Sequence, residues 1–229
     1  MSAVADPRVT VLVAAYNWER FLGETLESVF AQEFDSFEVV FVDDGSKDRT
    51  GEIAQSFPVR YLRQENQGLP AARNAGLALV RGDLVAFLDD DDLLPPTKLT
   101  VQVAYLDEHP ETGCVLGRQE WIVEGGVEPP KLPRDPIFGE LGGIQLVTAM
   151  IRRRVLTELG GFDPSYRYAE DRELFIRMRE HGVGIAVLPD VVLYKRLHGA
   201  NMTMNPPSTH PMLRALHEKL ERERNPDRQ

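Results

Sequence analysis

Apolar positions along this chain come in two rhythms. Val9 to Ala14, β-branched and apolar, and the short, largely apolar runs Phe37 to Val42, Val59 to Leu62 and Leu84 to Leu88 predict strands. Between them the apolar residues return every third or fourth position. Trp18, Phe21, Leu22, Leu26, Val29 and Phe30 predict an amphipathic helix with Asn17 as its N-cap. A helix is expected to begin over Asp48 to Glu52, another over Pro70 to Val80, and a fourth over Pro96 to Glu108, with Leu99, Val103 and Leu106 inward and Pro110 as its stop. Four strand–helix units within about a hundred residues predict a largely parallel α/β sheet wound by right-handed crossovers.

The regularity ends after Gly113. Cys114 to Val123 predicts a strand, Glu124 to Gly143 a Pro- and Gly-rich loop, and Val147 to Ile151 a strand. Arg152 to Leu159 is expected as a short helix, Gly160 to Pro164 as a turn, and Glu170 to His181 as a helix with Leu174, Phe175 and Met178 on its apolar face. Val183 to Leu188 and Val191 to Tyr194 predict two strands split by Pro189-Asp190. Met212, Leu213, Leu216 and Leu220 stripe a helical tail, which would dock on the core or pair with a second copy as a homodimer. There is no repeat or composition break. The expected organisation is one domain over 1–204, its halves meeting near 112–113, followed by a tail over 205–229.

The polar punctuation carries the chemistry. Leu84 to Leu88 opens directly into Asp89, Asp90, Asp91 and Asp92. Ligands of α/β sheets bind at the carboxyl ends of strands, and hard cations prefer carboxylate oxygens. The run therefore suggests a Mg²⁺ or Mn²⁺ site receiving a phosphorylated ligand. A solvated acidic turn leading into a helix started by Pro95-Pro96 fits the run equally well when it is taken alone. A second strand ends in Asp43-Asp44, and the plain-turn account handles that coincidence badly. If the two strands lie side by side, their ends share one cleft.

Charge and composition narrow the classes. The 229 residues carry a formal charge of −10, from 26 Lys and Arg against 36 Asp and Glu, with no clustered basic face of the kind that grips nucleic acid. The single cysteine, Cys114, excludes intrachain disulfides and a thiolate zinc site. No apolar run approaches the roughly 20 residues of a membrane span, and Met1 to Arg8 has no signal-peptide pattern. A cytoplasmic location is expected, with peripheral membrane attachment through the tail left open.

Six motifs stand in order: Ala14-Ala-Tyr-Asn17, Val42-Asp-Asp-Gly-Ser46, Ala72-Arg-Asn-Ala-Gly76, Phe87-Leu-Asp-Asp-Asp-Asp92, Gly160-Gly-Phe-Asp163 and Ala169-Glu-Asp171. Together they resemble glycosyltransferase family 2, of the GT-A fold, over roughly residues 9 to 200. The resemblance implies an inverting transferase that moves a sugar from a nucleoside diphosphate to an acceptor hydroxyl. By it, Asp91 is a metal ligand and Asp89 lies toward the ribose or donor sugar, with Asp90 beside it. It also places Asp44, with Asp43, at the nucleobase, and has Ala15, Tyr16 and Asn17 line the nucleotide pocket. Core packing is the plain alternative for Tyr16. For Asp92, helix capping competes with a sugar contact. Arg73 offers a guanidinium to a phosphate or to the acidic cluster, and His198 a late imidazole to the metal or diphosphate.

Asp171 matches the family's base, although acids at a helix start have an ordinary electrostatic reason to be there. The family often carries Trp after that pair, where this chain has Arg172. A nucleotidyltransferase is a second reading, weakened because Ala14 to Trp18 contains no Gly or Lys to grip a triphosphate. A non-catalytic nucleotide-sugar-binding protein is a third. UDP or dTDP is the expected donor nucleotide by analogy. The acceptor, whether saccharide, lipid carrier, protein or small molecule, has no motif.

Overall fold

A computed structural model describes residues 6–124, 145–166, 169–199 and 201. The loop expected over 124–143 (but for Glu124) and the striped tail with its dimer expectation lie outside these residues.

The first apolar run forms β1 (Val9–Ala15), buried along its whole length. It pairs in parallel with β2 (Phe37–Asp43) on one side and β4 (Leu84–Leu88) on the other. β3 (Arg60–Arg63) adds to the far side of β2. The seven-stranded sheet has the order β3-β2-β1-β4-β6-β5-β7, with β5 (Thr112–Val123), β6 (Met150–Arg152) and β7 (Gly184–Leu197) completing it. β6 runs antiparallel to both neighbours, whereas β5 and β7 are parallel. The α/β expectation therefore stands, with a mixed half after β4. The two acid-ended strands are not adjacent, because β1 separates them. Their ends still open on one edge of the sheet.

Helices α1 (Glu19–Phe30), α2 (Thr50–Gln55), α3 (Leu69–Leu77) and α4 (Lys98–Glu108) alternate with the first strands, and α5 (Arg153–Glu158) and α6 (Glu170–Glu180) follow β6. α1 buries Phe21, Leu22, Thr25, Leu26 and Val29, the face its spacing predicts. α3 lies close on the sheet at Gly76, where a Cβ would meet Leu12 Cδ1 at 2.8 Å and Val42 Cγ2 at 3.1 Å.

Three local expectations are corrected. Asn17 is not the N-cap of α1; Trp18 takes that position with no side-chain cap. The neighbouring loop does the capping, since Trp18 N–H donates to Thr50 Oγ1 and Glu19 N–H to Asp48 Oδ2. Free of that task, Asn17 adopts φ 54° and its Oδ1 accepts the Lys47 N–H. The strand expected over Val147 to Ile151 is a 3-10 turn, Leu146–Thr148, followed by β6. Pro189-Asp190 does not split the last strand. β7 lies at the sheet edge, where a missing N–H is tolerated, and the register slips there against Gly117, between the pairs Leu116–Val187 and Arg118–Val191.

Candidate active site

The first strand-end loops are fastened to one another. Ala15 is buried and its carbonyl accepts the Asp44 N–H at 2.9 Å. The Asp43 carboxylate, fully buried, accepts the Ser46 N–H at 2.7 Å, Tyr61 Oη–H at 2.6 Å and an Arg63 N–H at 3.2 Å. It holds the turn. Gly45 follows at φ +86°, a conformation that suits glycine. The Asp44 carboxylate accepts the backbone N–H groups of Gln67 and Gly68 and the Gln64 amide, at 2.7 to 3.0 Å. It closes the 64–68 segment over the end of β2. Tyr16 is 45% exposed, so its ring lies at the surface and is not core packing.

The four carboxylates after β4 have separate surroundings. Asp89, Asp91 and Asp92 present oxygens that all lie within 4.8 Å of one another. Asp89 accepts from Arg73 at 3.0 Å and from Lys195 Nζ at 3.3 Å. Burial acts to raise its pKa, but Lys195 and Arg73 outweigh it and hold the carboxyl below its ordinary range. Asp90 pairs with no cation among the described residues, and burial together with Asp91 and Asp89 pushes it well above that range. The Asp91 carboxylate meets His198 Nε2 at 3.0 Å and the Asn201 amide at 3.1 Å. Asp92 is fully buried, accepting from Lys195 Nζ at 2.8 Å and the Arg196 N–H at 3.0 Å. That arrangement corrects both readings of Asp92, because its carboxylate straps β4 to β7.

Arg73 links this cluster to the start of α6. Its other nitrogen donates to Glu170 Oε1 at 2.8 Å, and the guanidinium and Glu170 are both buried. Of the two partners considered for Arg73, the structure shows the acidic cluster. Burial raises Glu170 to about 7 despite Arg73. Asp171 Oδ1 accepts the Arg172 N–H at 2.7 Å. Burial raises the Asp171 carboxyl, with Arg172 and Arg73 pulling it down and Asp89 adding to the rise.

His198 is buried between Trp18 and Phe21, whose ring centroids lie 5.3 and 5.2 Å away. Its contact with Asp91 needs a proton on Nε2, and ligating an ion through that atom would need the proton gone. Arg196 sits under the same corner. It reaches the Asp91 carbonyl, Glu24 and Glu124, and stacks 4.4 Å from the Phe21 ring centroid. Lys195, Arg196 and Asn201 have no role in the sequence analysis, where Glu170 figures only as the neighbour of Asp171 in its motif. Two consecutive cations ending the last strand, opposite four consecutive anions ending another, was the available signal.

The oxygen-rich triad suits a hard divalent ion, with Asp91 and the two flanking carboxylates as its candidate holders. Arg73 and Lys195 thus set two cations against the acidic cluster, and Asp171 lies close enough to Arg73 and Asp89 to feel the charge of both.

Residues 10–162 match the model of Glycosyl transferase family 2. An uncharacterized glycosyltransferase of Haemophilus influenzae is 30% identical over 182 residues, which span 74% of this chain and 61% of that protein. The putative glycosyltransferase EpsE of Bacillus subtilis is 32% identical over 191 residues, 78% of this chain and 69% of EpsE. Among solved structures, S. aureus TarS in complex with UDP superposes with a TM-score of 0.69 at 25% identity, over 83% of this chain and 60% of that one. A mannosyltransferase of Pyrobaculum calidifontis, solved with GDP-Man and Mn²⁺, shares the fold, with a TM-score of 0.70 at 23% identity over 94% of this chain and 70% of that one. These neighbours bear out the GT-A type of sheet. The chain spans less than two thirds of the H. influenzae protein and of the TarS chain.

Proposed function

The chain belongs to glycosyl transferase family 2, and we propose that it moves a sugar from a nucleoside-diphosphate donor to an acceptor hydroxyl, with inversion, in one displacement. The observation that carries this is the Arg73 bridge. It ties Asp89, at the end of β4, to Glu170, next to Asp171 at the start of α6. A polyanion-binding corner and a raised carboxylate thus form one connected unit.

In the proposed reaction Asp171 accepts the proton of the acceptor hydroxyl as its oxygen attacks the anomeric carbon. The bond from that carbon to the diphosphate oxygen breaks on the opposite face, and the nucleoside diphosphate leaves with the electron pair. Asp91, with Asp89 and Asp92 beside it, would hold a Mg²⁺ or Mn²⁺ ion. Such an ion neutralises charge developing on the leaving diphosphate. Asp89, partly exposed beside Arg73, would take a sugar or ribose hydroxyl, with Asp90 next to it. Ala15, Tyr16, Asn17, Asp43 and Asp44 shape the nucleotide end, where Tyr16 offers an exposed ring for a base to stack on. Asp44 would offer a base N–H the acceptor capacity it now directs at residues 64–68.

UDP is the favoured nucleotide, supported by the TarS complex. The test is release of nucleoside diphosphate from a panel of UDP-, dTDP- and GDP-sugars with mixed acceptors, with product configuration read by proton NMR. Wild type should turn over one donor class with inversion. Asp171→Asn should bind nucleotide almost normally and lose transfer. A retained configuration, or full turnover by Asp171→Asn, would remove the single-displacement reading.

A further inference from the structure

Crowded carboxylates repel one another, and this fold answers with a cation of its own. The Lys195 ammonium lies 2.8 Å from Asp92 Oδ2 and 3.3 Å from Asp89 Oδ2, and its side chain is 7% exposed. It is fixed there on two sides. The preceding residue, Tyr194, exchanges both backbone hydrogen bonds with Leu93, at 2.9 and 3.0 Å, just after the acidic run. The following residue, Arg196, gives its N–H to the other oxygen of Asp92 at 3.0 Å. The backbone that carries the ammonium is therefore tied directly to the end of β4, and the side chain it holds is almost wholly buried against the cluster. Asp91 is the member that Lys195 does not bind; its carboxylate turns to His198 and Asn201.

We propose that Lys195 is a resident counter-cation that competes with the divalent ion for the acidic cluster. It withholds Asp89 and Asp92, so that the ion binds strongly only when a diphosphate brings negative charge of its own. The proposal rests on the reading that the cluster holds a divalent ion, and assigns the residue that decides when it does so. An ion entering beside a fixed ammonium meets like-charge repulsion, which two phosphate groups offset. Ion and nucleotide then favour each other's binding, by the same factor in either order.

The test is calorimetric titration of Mn²⁺ alone into nucleotide-free wild type, K195M, K195R and D91N, repeated with UDP or GDP present. K195M should bind Mn²⁺ at least tenfold more tightly than wild type without nucleotide. K195R, which keeps the charge, should stay at the wild-type level, and nucleotide should enhance Mn²⁺ affinity less in K195M than in wild type. K195Q keeps a hydrogen-bond donor for Asp92 and carries the same expectation should K195M not fold. Unchanged or weaker Mn²⁺ affinity in the neutral variants, with binding lost in D91N, overturns the role of Lys195 and leaves the ion site standing. No Mn²⁺ binding by any of the proteins, with or without nucleotide, overturns both.

Discussion

Replacing Arg73 by Met removes a buried guanidinium while keeping an unbranched side chain beside Phe162. Two charge-assisted contacts disappear, at 3.0 Å to Asp89 and 2.8 Å to Glu170. Their consequences differ. Asp89 is 31% exposed and keeps Lys195 at 3.3 Å, so its charge stays compensated. Glu170 is 8% exposed and, among the described residues, pairs with no cation other than Arg73. Breaking a buried pair by removing one partner costs about 3–5 kcal/mol. Glu170 can limit that cost by taking up a proton, since its carboxyl already stands at about 7. The expected loss is about 3 kcal/mol at pH 7, or a fall in Tm of about 6–12 °C for a chain of this size.

The sign with pH follows. Without Arg73 the Glu170 carboxyl loses the cation that holds it down and rises further, so the loss grows as pH climbs above 7, whereas at pH 6 the group is largely protonated with or without Arg73 and the loss shrinks. Adding Glu170→Gln should recover at least half of the stability, because the group left unpaired is then neutral. Thermal melts and urea titrations of wild type, both single variants and the double variant at pH 6 and 8 measure all of this. If Arg73→Met melts like wild type, or if Glu170→Gln worsens it further, the bridge does not hold the two elements together.

The other expectations can be checked separately. The acid limb of kcat/KM should fall as pH drops through the Asp171 pKa, which burial holds above the ordinary aspartate range; a limb at the pKa of a free aspartate would argue for another base. Lys98 is wholly buried, with Nζ 3.2 Å from the Val147 carbonyl, and burial lowers its ammonium from 10.5 to about 7. Between those values the unfolded chain holds a proton the folded chain lacks, so folding loses stability as pH falls from 10.5 to 7, by up to about 5 kcal/mol. Lys98→Met should therefore raise stability at pH 7 and gain less at pH 9.5; a gain independent of pH would show that Lys98 is not titrating as argued.

The strands and α1 were legible because their apolar periods match the faces they bury. Leu22, Leu26 and Val29 are fully inaccessible, as their spacing requires. What was misjudged depends on partners distant in sequence. Asn17 looks like a cap, but Asp48 and Thr50 cap α1 from another loop. Pro189 looks like a strand break, but an edge position and Gly117 opposite it absorb the bulge. The site divided the same way. Consecutive carboxylates are visible in any sequence, so Asp89 to Asp92 and Asp43-Asp44 stood out. Their cations are 16 to 106 residues away in the chain, in Arg73 and Lys195, so only the fold shows which acid each one meets. Asp92 shows the consequence: the last acid of a run before a helix suggests a cap, and only the strand that arrives a hundred residues later reveals a buried ion pair.

The most direct test of the proposed function is calorimetric titration of wild type and Asp91→Asn with UDP, dTDP, GDP and CDP, each in Mn²⁺ and in EDTA. The account predicts tight binding of one nucleotide, UDP foremost, that EDTA weakens sharply and that Asp91→Asn weakens to the same extent. Folded protein that binds none of the four, or binds equally well in EDTA and in the Asp91→Asn variant, would contradict it.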